Sequence, residues 1–118
     1  MQPLICKSFA KLNLCLHVLN QRKDDYHNIE SIICIVDFFD TLSFQTNNSN
    51  TIKFQTNSPE IDIDNNLVTK TYNIISDLYD ISGVDIFLNK KIPIGSGLGG
   101  GSSNAAVTLL ALAKIFKL

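Results

Sequence analysis

Five of the six glycines in this chain lie in one short segment, residues 93–103, and they are its clearest sign of chemistry. A strongly helix-forming run, residues 105–116, follows directly. Glycine loses more conformational entropy on folding than any other residue, so a cluster of glycines indicates positive φ angles or a close approach to the main chain. A loop that opens a helix also offers free N–H groups and the positive end of the helix dipole. The segment therefore predicts a phosphate-binding loop.

The spacing of the glycines separates three kinds of phosphate loop. A P-loop requires Gly-Lys-Ser/Thr at the start of the helix, whereas here glycines precede Ser102, so this kind is excluded. A protein-kinase glycine loop joins two strands, whereas this one leads into a helix. Residues 95–100 match the Rossmann fingerprint, but a proline precedes them and the chain ends before the acidic residue expected about 20 positions later. A glycine-rich turn without a ligand is the remaining structural alternative.

The N-terminal third holds polar residues that could do chemistry. Apolar and polar residues alternate along residues 11–18, and this period of two predicts a half-buried strand. Successive polar side chains on its one face would stand about 7 Å apart; they are Lys11, Asn13, Cys15 and His17. The pattern alone favours an ordinary solvent face. Tyr26 and His27, in the polar turn 21–28, are likewise typical of surface residues.

The elements that must position these residues follow from local patterns. We predict extended structure over 4–20, a strand over 29–39 and a hairpin of 41–45 with 51–55 across an exposed asparagine-rich loop. Asn66 is the predicted N-cap of a helix that ends at Gly83. One face of this helix is predicted to carry Leu67, Val68, Tyr72, Ile75, Leu78 and Tyr79. A strand over 84–88 leads into the glycine segment, so the order predicts an α+β domain with a mostly antiparallel sheet.

Composition and net charge indicate which classes of protein this sequence fits. The chain has 118 residues, 45% of them hydrophobic, which is enough for one folded domain or part of one. A formal charge of −1 gives no electrostatic footprint for nucleic acid or an anionic membrane surface. Three cysteines in separate apolar segments, Cys6, Cys15 and Cys34, predict buried, reduced thiols and a cytoplasmic protein. The last helix is apolar nearly all round, so we expect the chain to be a fragment of a longer protein.

The pattern Pro-x-Gly-x-Gly-Leu-Gly-Gly-Gly-Ser-Ser at the start of a helix resembles the nucleotide loop of the GHMP small-molecule kinases. The resemblance implies the N-terminal ATP-binding domain of that family, with a mostly antiparallel sheet and helices on one face. It also implies an ATP loop in which hydroxyls of the serine pair lie near the phosphates and Mg²⁺. That loop comprises Pro93, Ile94, Gly95, Ser96, Gly97, Leu98, Gly99, Gly100, Gly101, Ser102 and Ser103.

Two further motifs precede the loop, Ala-Lys-Leu-Asn-Leu at 10–14 and Asp-Tyr-His at 25–27. In this order they resemble the branch of the family that phosphorylates the 2-hydroxyl of a cytidine diphosphate ester of methylerythritol, in non-mevalonate isoprenoid precursor synthesis. The resemblance implies that Lys11 is catalytic and that Asn13 binds the methylerythritol part. Tyr26 would stack on the cytosine ring and His27 would bind its edge, an arrangement suited to base recognition.

The resemblance also implies contacts to adenosine by Asn66 and Lys90, and it leaves room for a homodimer. Asp25 stands where the family usually has glycine, and aspartate tolerates positive φ less well than glycine. The family's catalytic aspartate and its C-terminal domain would lie beyond Leu118, so we expect the isolated chain to be inactive. Two alternatives stay open: another GHMP kinase of the homoserine or mevalonate type, and a non-catalytic nucleotide-binding module.

Overall fold

The chain folds into a four-stranded sheet with helices packed on one face. The computed structural model describes residues 2–118, except for the side chains of Leu16 and His17. The elements are β1 (Leu4–Gln21), β2 (His27–Thr46), β3 (Lys53–Thr56), α1 (Leu67–Leu78), β4 (Val84–Asn89) and α2 (Gly100–Phe116). Among the described residues the strand order is β1-β2-β4-β3, in which β3 and β4 are parallel and the other neighbours antiparallel. The predicted α+β class and mostly antiparallel sheet are confirmed.

One face of the sheet carries the core, because side chains alternate between the two faces of each strand. Along β2 the buried positions are Asp40, Leu42 and Phe44, and along β4 they are Val84, Ile86 and Leu88. Both helices cover this face and complete a single hydrophobic cluster with Val68, Tyr72, Ile75, Ala111 and Leu112.

β1 and β2 form one long antiparallel hairpin, which confirms the extended structure predicted for residues 4–20. The register shifts at three places, between Phe9 and Lys11, between Asn13 and Cys15, and between Val18 and Gln21. Such irregularities bend a strand and increase its twist. The predicted strands 29–39 and 41–45 are a single strand, because Asp40 is buried within β2 rather than marking its end.

The predicted hairpin of 41–45 with 51–55 is wrong. β4 lies between β2 and β3, pairs antiparallel with β2, and is reached from β3 through α1. The asparagine-rich loop that joins β2 to β3 is exposed at residues 48–51, as predicted, but it also makes contacts with the rest of the fold. Asn47 N–H donates to the carbonyl of Gly83 at 3.0 Å, and Gly83 N–H donates to the carbonyl of Ser49 at 2.7 Å. The loop therefore packs on the chain that leads into β4.

Asn66 is the N-cap of α1, as predicted, because its Oδ1 accepts a hydrogen bond from Thr69 N–H at 2.9 Å. The predicted stop at Gly83 is wrong: the helix ends at Leu78, and Gly83 serves the contact with the asparagine-rich loop. The predicted apolar face is only partly buried, since Leu67 and Leu78 are exposed, as is Tyr79 beyond the helix. The buried residues are Val68, Thr69, Tyr72 and Ile75.

α2 begins at Gly100, five residues before the predicted start, because the glycines themselves form its first turn. The cysteine prediction is wrong in part, since Cys34 is exposed while Cys6 and Cys15 are half-buried. Burial raises the pKa of the Cys6 thiol despite the nearby positive charge of Lys114. Among the described residues, no helix is long and apolar enough to cross a membrane.

Candidate active site

The glycine segment turns through three left-handed residues before α2 starts. Gly95, Gly97 and Gly99 have φ angles of 71°, 77° and 70°. A residue with a Cβ is disfavoured in this region by about 1–2 kcal/mol, so glycine is the natural choice at each position. The positive φ angles expected from the glycine cluster are therefore present in the loop.

Gly99 and Gly100 are also required for close packing. A Cβ on Gly99 would lie 2.9 Å from Cε of Lys11, and one on Gly100 would lie 2.7 Å from Nζ of Lys90. By contrast, a Cβ on Gly95 or Gly97 would meet nothing within 4 Å. The loop thus lies against Lys11 of β1 at Gly99 and against Lys90, which follows β4, at Gly100.

The first turn of α2 faces a cleft of about 530 Å³. Its N-cap is Gly99, which has no side chain to cap the helix. The N–H groups of a first helical turn have no partner within the helix, and the helix dipole places partial positive charge there. The cleft is also lined by Glu60, Asp62, Asn66, Leu67 and Ser102. The volume is in the range of small-molecule sites.

Lys11 is held against the glycine loop by two contacts. Its backbone N–H donates to the carbonyl of Leu98 at 2.8 Å, and its Nζ donates to the carbonyl of Gly97 at 3.4 Å. These residues are 86 or more positions apart in the sequence. The fold therefore places an ammonium group beside the glycine loop.

The other candidates of the N-terminal third lie further along the hairpin. Asn13 follows Lys11 on β1, and its Oδ1 accepts a hydrogen bond from Ser31 Oγ on β2 at 2.8 Å. Tyr26 is 72% exposed in the turn between the two strands, next to His27 at the start of β2. No contact among the described residues brings Tyr26 or His27 to the glycine loop. The side chain of His17 lies outside the described residues.

The turn before Tyr26 contains a residue other than glycine in the left-handed region. Asp25 has a φ of 67°, in the left-handed region where aspartate is tolerated. The carboxylate of Asp24 accepts a hydrogen bond from Tyr26 N–H at 3.2 Å and pairs with Arg22. The turn therefore keeps a backbone geometry that glycine would adopt with less strain.

Asn66 and Lys90 line the cleft, but their polar groups already have partners in the protein. The amide of Asn66 caps α1 through its oxygen and donates through its nitrogen to the carbonyls of Asp62 and Ile63 at 2.9 and 3.2 Å. The Nζ of Lys90 donates to Oδ2 of Asp40 at 2.7 Å, and the side chain is only 7% exposed. Both residues shape the wall of the cleft.

The sequence interpretation missed a buried polar network centred on Asp40. Its Oδ1 accepts from the N–H groups of Lys91 and Ile92 at 2.6 and 2.8 Å. Its Oδ2 accepts from Lys90 and from Nδ2 of Asn104, the latter at 3.0 Å. One carboxylate thus binds the residues before the glycine loop and the helix after it. These contacts fix the two ends of the loop relative to each other.

The carboxylate of Asp40 is ionised despite being inaccessible to solvent. Burial by itself raises the pKa of Asp40, but the hydrogen bonds from Ile92, Lys90, Lys91 and Asn104 outweigh it and hold the pKa below its ordinary value. A signal for this network exists in the sequence. Asp40 is in phase with Leu42 and Phe44, and a charged residue on a buried face requires a partner.

The two serines at the end of the loop differ in their surroundings. Ser102 is exposed and lines the cleft, whereas Ser103 is half-buried and faces β1, where its Oγ accepts a hydrogen bond from Ser8 Oγ at 2.8 Å. The described residues include no cluster of three or more His, Cys, Asp or Glu side chains that could hold a metal ion.

Comparisons with known proteins show what this chain is similar to. Residues 66–118 match the family model of the GHMP kinases N terminal domain. A protein of Francisella philomiragia named 4-diphosphocytidyl-2-C-methyl-D-erythritol kinase is 47% identical over 108 residues, which cover 90% of this chain and 39% of that protein. A protein of the same name from Prochlorococcus marinus is 44% identical, with 99% and 38% covered. The chain therefore spans about two fifths of the length of these relatives.

Solved structures give the same result. A crystal structure of 4-(cytidine 5'-diphospho)-2C-methyl-D-erythritol kinase matches with a TM-score of 0.83 and 32% identity, over 96% of this chain and 41% of that one. Homoserine kinase from Cytophaga hutchinsonii matches over 95% of this chain and 35% of that one, with a TM-score of 0.65 at 17% identity. The latter likeness shows the fold alone.

Proposed function

We propose that this chain, which carries a GHMP kinase N-terminal domain, forms the ATP-binding part of a small-molecule kinase. The whole protein would transfer the γ-phosphoryl group of ATP to the 2-hydroxyl of 4-diphosphocytidyl-2-C-methyl-D-erythritol. This step belongs to non-mevalonate isoprenoid precursor synthesis, in the cytoplasm. The names of the relatives at 44–47% identity support this substrate over those of the homoserine and mevalonate types.

The observation that carries the proposal is the position of Lys11. Its ammonium lies 3.4 Å from the carbonyl of Gly97, in a loop whose backbone leads into the free N–H groups of α2. A cation beside a phosphate loop can stabilise the charge that develops during phosphoryl transfer. It can also ease deprotonation of an acceptor hydroxyl placed between it and the γ-phosphate.

The remaining residues of the site serve binding. The N–H groups at the start of α2 and the backbone of the loop would hold the ATP phosphates, as helix N-termini bind anions. Ser102 would offer its hydroxyl from the wall of the cleft. Transfer would be direct and in line, because phosphoryl transfer requires mainly positioning and electrostatic stabilisation.

Mg²⁺ would accompany ATP and neutralise phosphate charge. The described residues offer hydroxyls and two nearby carboxylates, Glu60 and Asp62, rather than a preformed metal cage. This fits Mg²⁺, which usually keeps several waters and binds through substrate phosphates. Ser102 and Ser103 are the hydroxyl groups proposed to lie near it.

The acceptor side of the site would use the β1–β2 hairpin. Asn13, two residues after Lys11 on β1, would bind the methylerythritol part. Tyr26 has an exposed ring that is free to stack on a cytosine, with His27 beside it for the edge of the base. The catalytic aspartate and the C-terminal domain would come from the part of the whole protein that corresponds to the further length of the relatives.

The test is the substitution Lys11→Ala in the whole protein. We expect turnover to be lost while ATP binding, measured by calorimetry, changes little, because the loop and helix N–H groups remain. Lys7→Ala is the matched control, since Lys7 lies on the same strand but its Nζ sits over the ring of Phe39 at 4.8 Å. Normal turnover by Lys11→Ala would remove the proposed catalytic role.

A second experiment addresses the acceptor. Tyr26→Ala and His27→Ala should weaken binding of the cytidine substrate and leave ATP binding unchanged, because neither residue contacts the glycine loop. Unchanged cytidine binding would favour a GHMP kinase with a different acceptor. If the whole protein bound ATP but phosphorylated no alcohol, the chain would be a non-catalytic nucleotide-binding module.

A further inference from the structure

A chain of side-chain hydrogen bonds runs from the buried Asp40 to the end of the glycine loop. Nδ2 of Asn104 donates to Oδ2 of Asp40 at 3.0 Å and to Oγ of Ser8 at 2.8 Å. Ser8 Oγ then donates to Ser103 Oγ at 2.8 Å. Ser8, Asp40 and Asn104 are at most 3% exposed, so water does not compete for these bonds. The chain joins β2, α2 and β1.

Two charged groups, the carboxylate of Asp40 and the ammonium of Lys90, determine which atom donates in each of these hydrogen bonds. The carboxylate of Asp40 can only accept, and the ammonium of Lys90 can only donate. Nζ of Lys90 lies 3.1 Å from Oδ1 of Asn104. The amide of Asn104 must therefore present its oxygen to Lys90 and its nitrogen to Asp40, and both hydrogens of that nitrogen are used.

The orientation of the Asn104 amide determines in turn which way the two serine hydroxyls donate. Ser8 Oγ accepts from Asn104, so its own hydrogen points to Ser103. Because Ser103 Oγ is thereby an acceptor, its hydrogen is left to donate elsewhere. A serine within a helix often donates to the carbonyl four residues earlier, here Gly99, but the described contacts of Ser103 include no such bond. Ser103 is half-buried on the first turn of α2 and is next to Ser102, which lines the cleft.

We infer that Asp40, Asn104 and Ser8 are positioning residues that hold the Ser103 hydroxyl as a hydrogen-bond donor toward a phosphate at the glycine loop. Phosphate oxygens are acceptors, so a hydroxyl beside them contributes only as a donor. The inference rests on the proposed function for the presence of ATP phosphates. The new element is that Asp40, acting through Asn104 and Ser8, makes Ser103 a donor although the Asp40 carboxylate itself would contact neither ATP nor the acceptor.

The experiment is a double-substitution cycle on the whole protein, with ATP and 4-diphosphocytidyl-2-C-methyl-D-erythritol as substrates. Ser103→Ala should lower kcat/KM for ATP tenfold or more, because a hydrogen bond to a charged group is lost. Ser8→Ala should lower it severalfold. In the Ser103→Ala background, Ser8→Ala should have less than a twofold effect, since the hydroxyl that it orients is gone.

The matched control is Thr108→Val, which removes another buried hydroxyl whose bond goes to the carbonyl of Asn104 at 2.7 Å. It should lower the unfolding midpoint about as much as Ser8→Ala while kcat/KM stays within twofold of wild type. If Ser8→Ala does not fold, Ser8→Cys takes its place, because it keeps a side chain of the same shape, slightly larger, with a weaker hydrogen-bond donor.

The outcomes separate the two proposals. If the wild type turns over normally and the effects of Ser8→Ala and Ser103→Ala on kcat/KM multiply, Ser8 does not act through Ser103. This result overturns the positioning role inferred here but not the proposed kinase function. A similar loss of kcat/KM in Thr108→Val does the same, since it makes the effect one of general stability. A wild-type protein that binds no ATP overturns the proposed function and the role of Ser103 with it.

Discussion

Replacing Gly99 by alanine tests whether the glycine loop controls the position of Lys11. Gly99 has a φ of 70°, so alanine would be strained by about 1–2 kcal/mol. Its Cβ would also lie 2.9 Å from Cε and 3.0 Å from Cγ of Lys11. The side chain of Lys11 is flexible and partly exposed, so rotation away from the loop relieves the clash more cheaply than movement of the backbone.

Gly95→Ala is the matched control. Gly95 has nearly the same φ, 71°, but a Cβ there would meet nothing within 4 Å. Both variants should therefore lose a similar free energy of unfolding, about 1–2 kcal/mol, as measured by urea denaturation. Only Gly99→Ala should move the ammonium of Lys11 away from Gly97, and a misplacement on the order of 1 Å can cost about 10²-fold in rate.

The assay is single-turnover phosphoryl transfer by the whole protein at saturating ATP, so that differences in nucleotide affinity do not enter. We expect Gly99→Ala to be slower than Gly95→Ala by about two orders of magnitude. Equal rates for the two variants would refute the argument that the loop holds Lys11 in place. A much larger loss of stability in Gly99→Ala would show that the backbone, and not the lysine, yields to the new methyl group.

Two further predictions concern stability. Gly83→Ala should destabilise the fold by about 1–3 kcal/mol, because a Cβ there would lie 2.3 Å from the carbonyl of Thr51 and the asparagine-rich loop would have to move; an unchanged urea midpoint would contradict this packing. The second prediction concerns Asp40, whose pKa is lower in the folded state than in the unfolded state. Its contribution to stability is fully present above the unfolded pKa of about 3.9, and it is lost as the pH falls from there through the pKa of the folded state. Wild type should therefore lose stability more steeply than Asp40→Asn when urea midpoints are measured from pH 5 down to pH 3, and parallel curves would contradict the assignment.

Much of the site follows from local sequence patterns. The glycine segment predicts left-handed turns before a helix, and these are present because no other residue adopts them without strain. Alternation along β1 predicts an extended strand that carries Lys11 and Asn13. Asn66 predicts the start of α1, since a side-chain oxygen at that position satisfies a free N–H group.

The features that local sequence patterns did not predict depend on contacts between residues that are far apart in the sequence. The hairpin of 41–45 with 51–55 was wrong because alternation defines which face a residue occupies but not which strand lies beside it. β4 takes the central place because its buried residues Val84, Ile86 and Leu88 need cover from both neighbouring strands and both helices. Asp40 was missed as a site residue because its partners lie 50 to 64 positions away.

The sequence by itself determined the left-handed turns of the glycine segment, the strand that bears Lys11 and the cap of α1, because each is encoded within a few neighbouring residues. Only the tertiary structure decided that Lys11 lies against Gly97 and that one carboxylate holds both ends of the loop. The physical reason is that the backbone conformation of a segment depends mainly on its own residues. The meeting of two segments depends instead on which buried surfaces of the whole chain pack together.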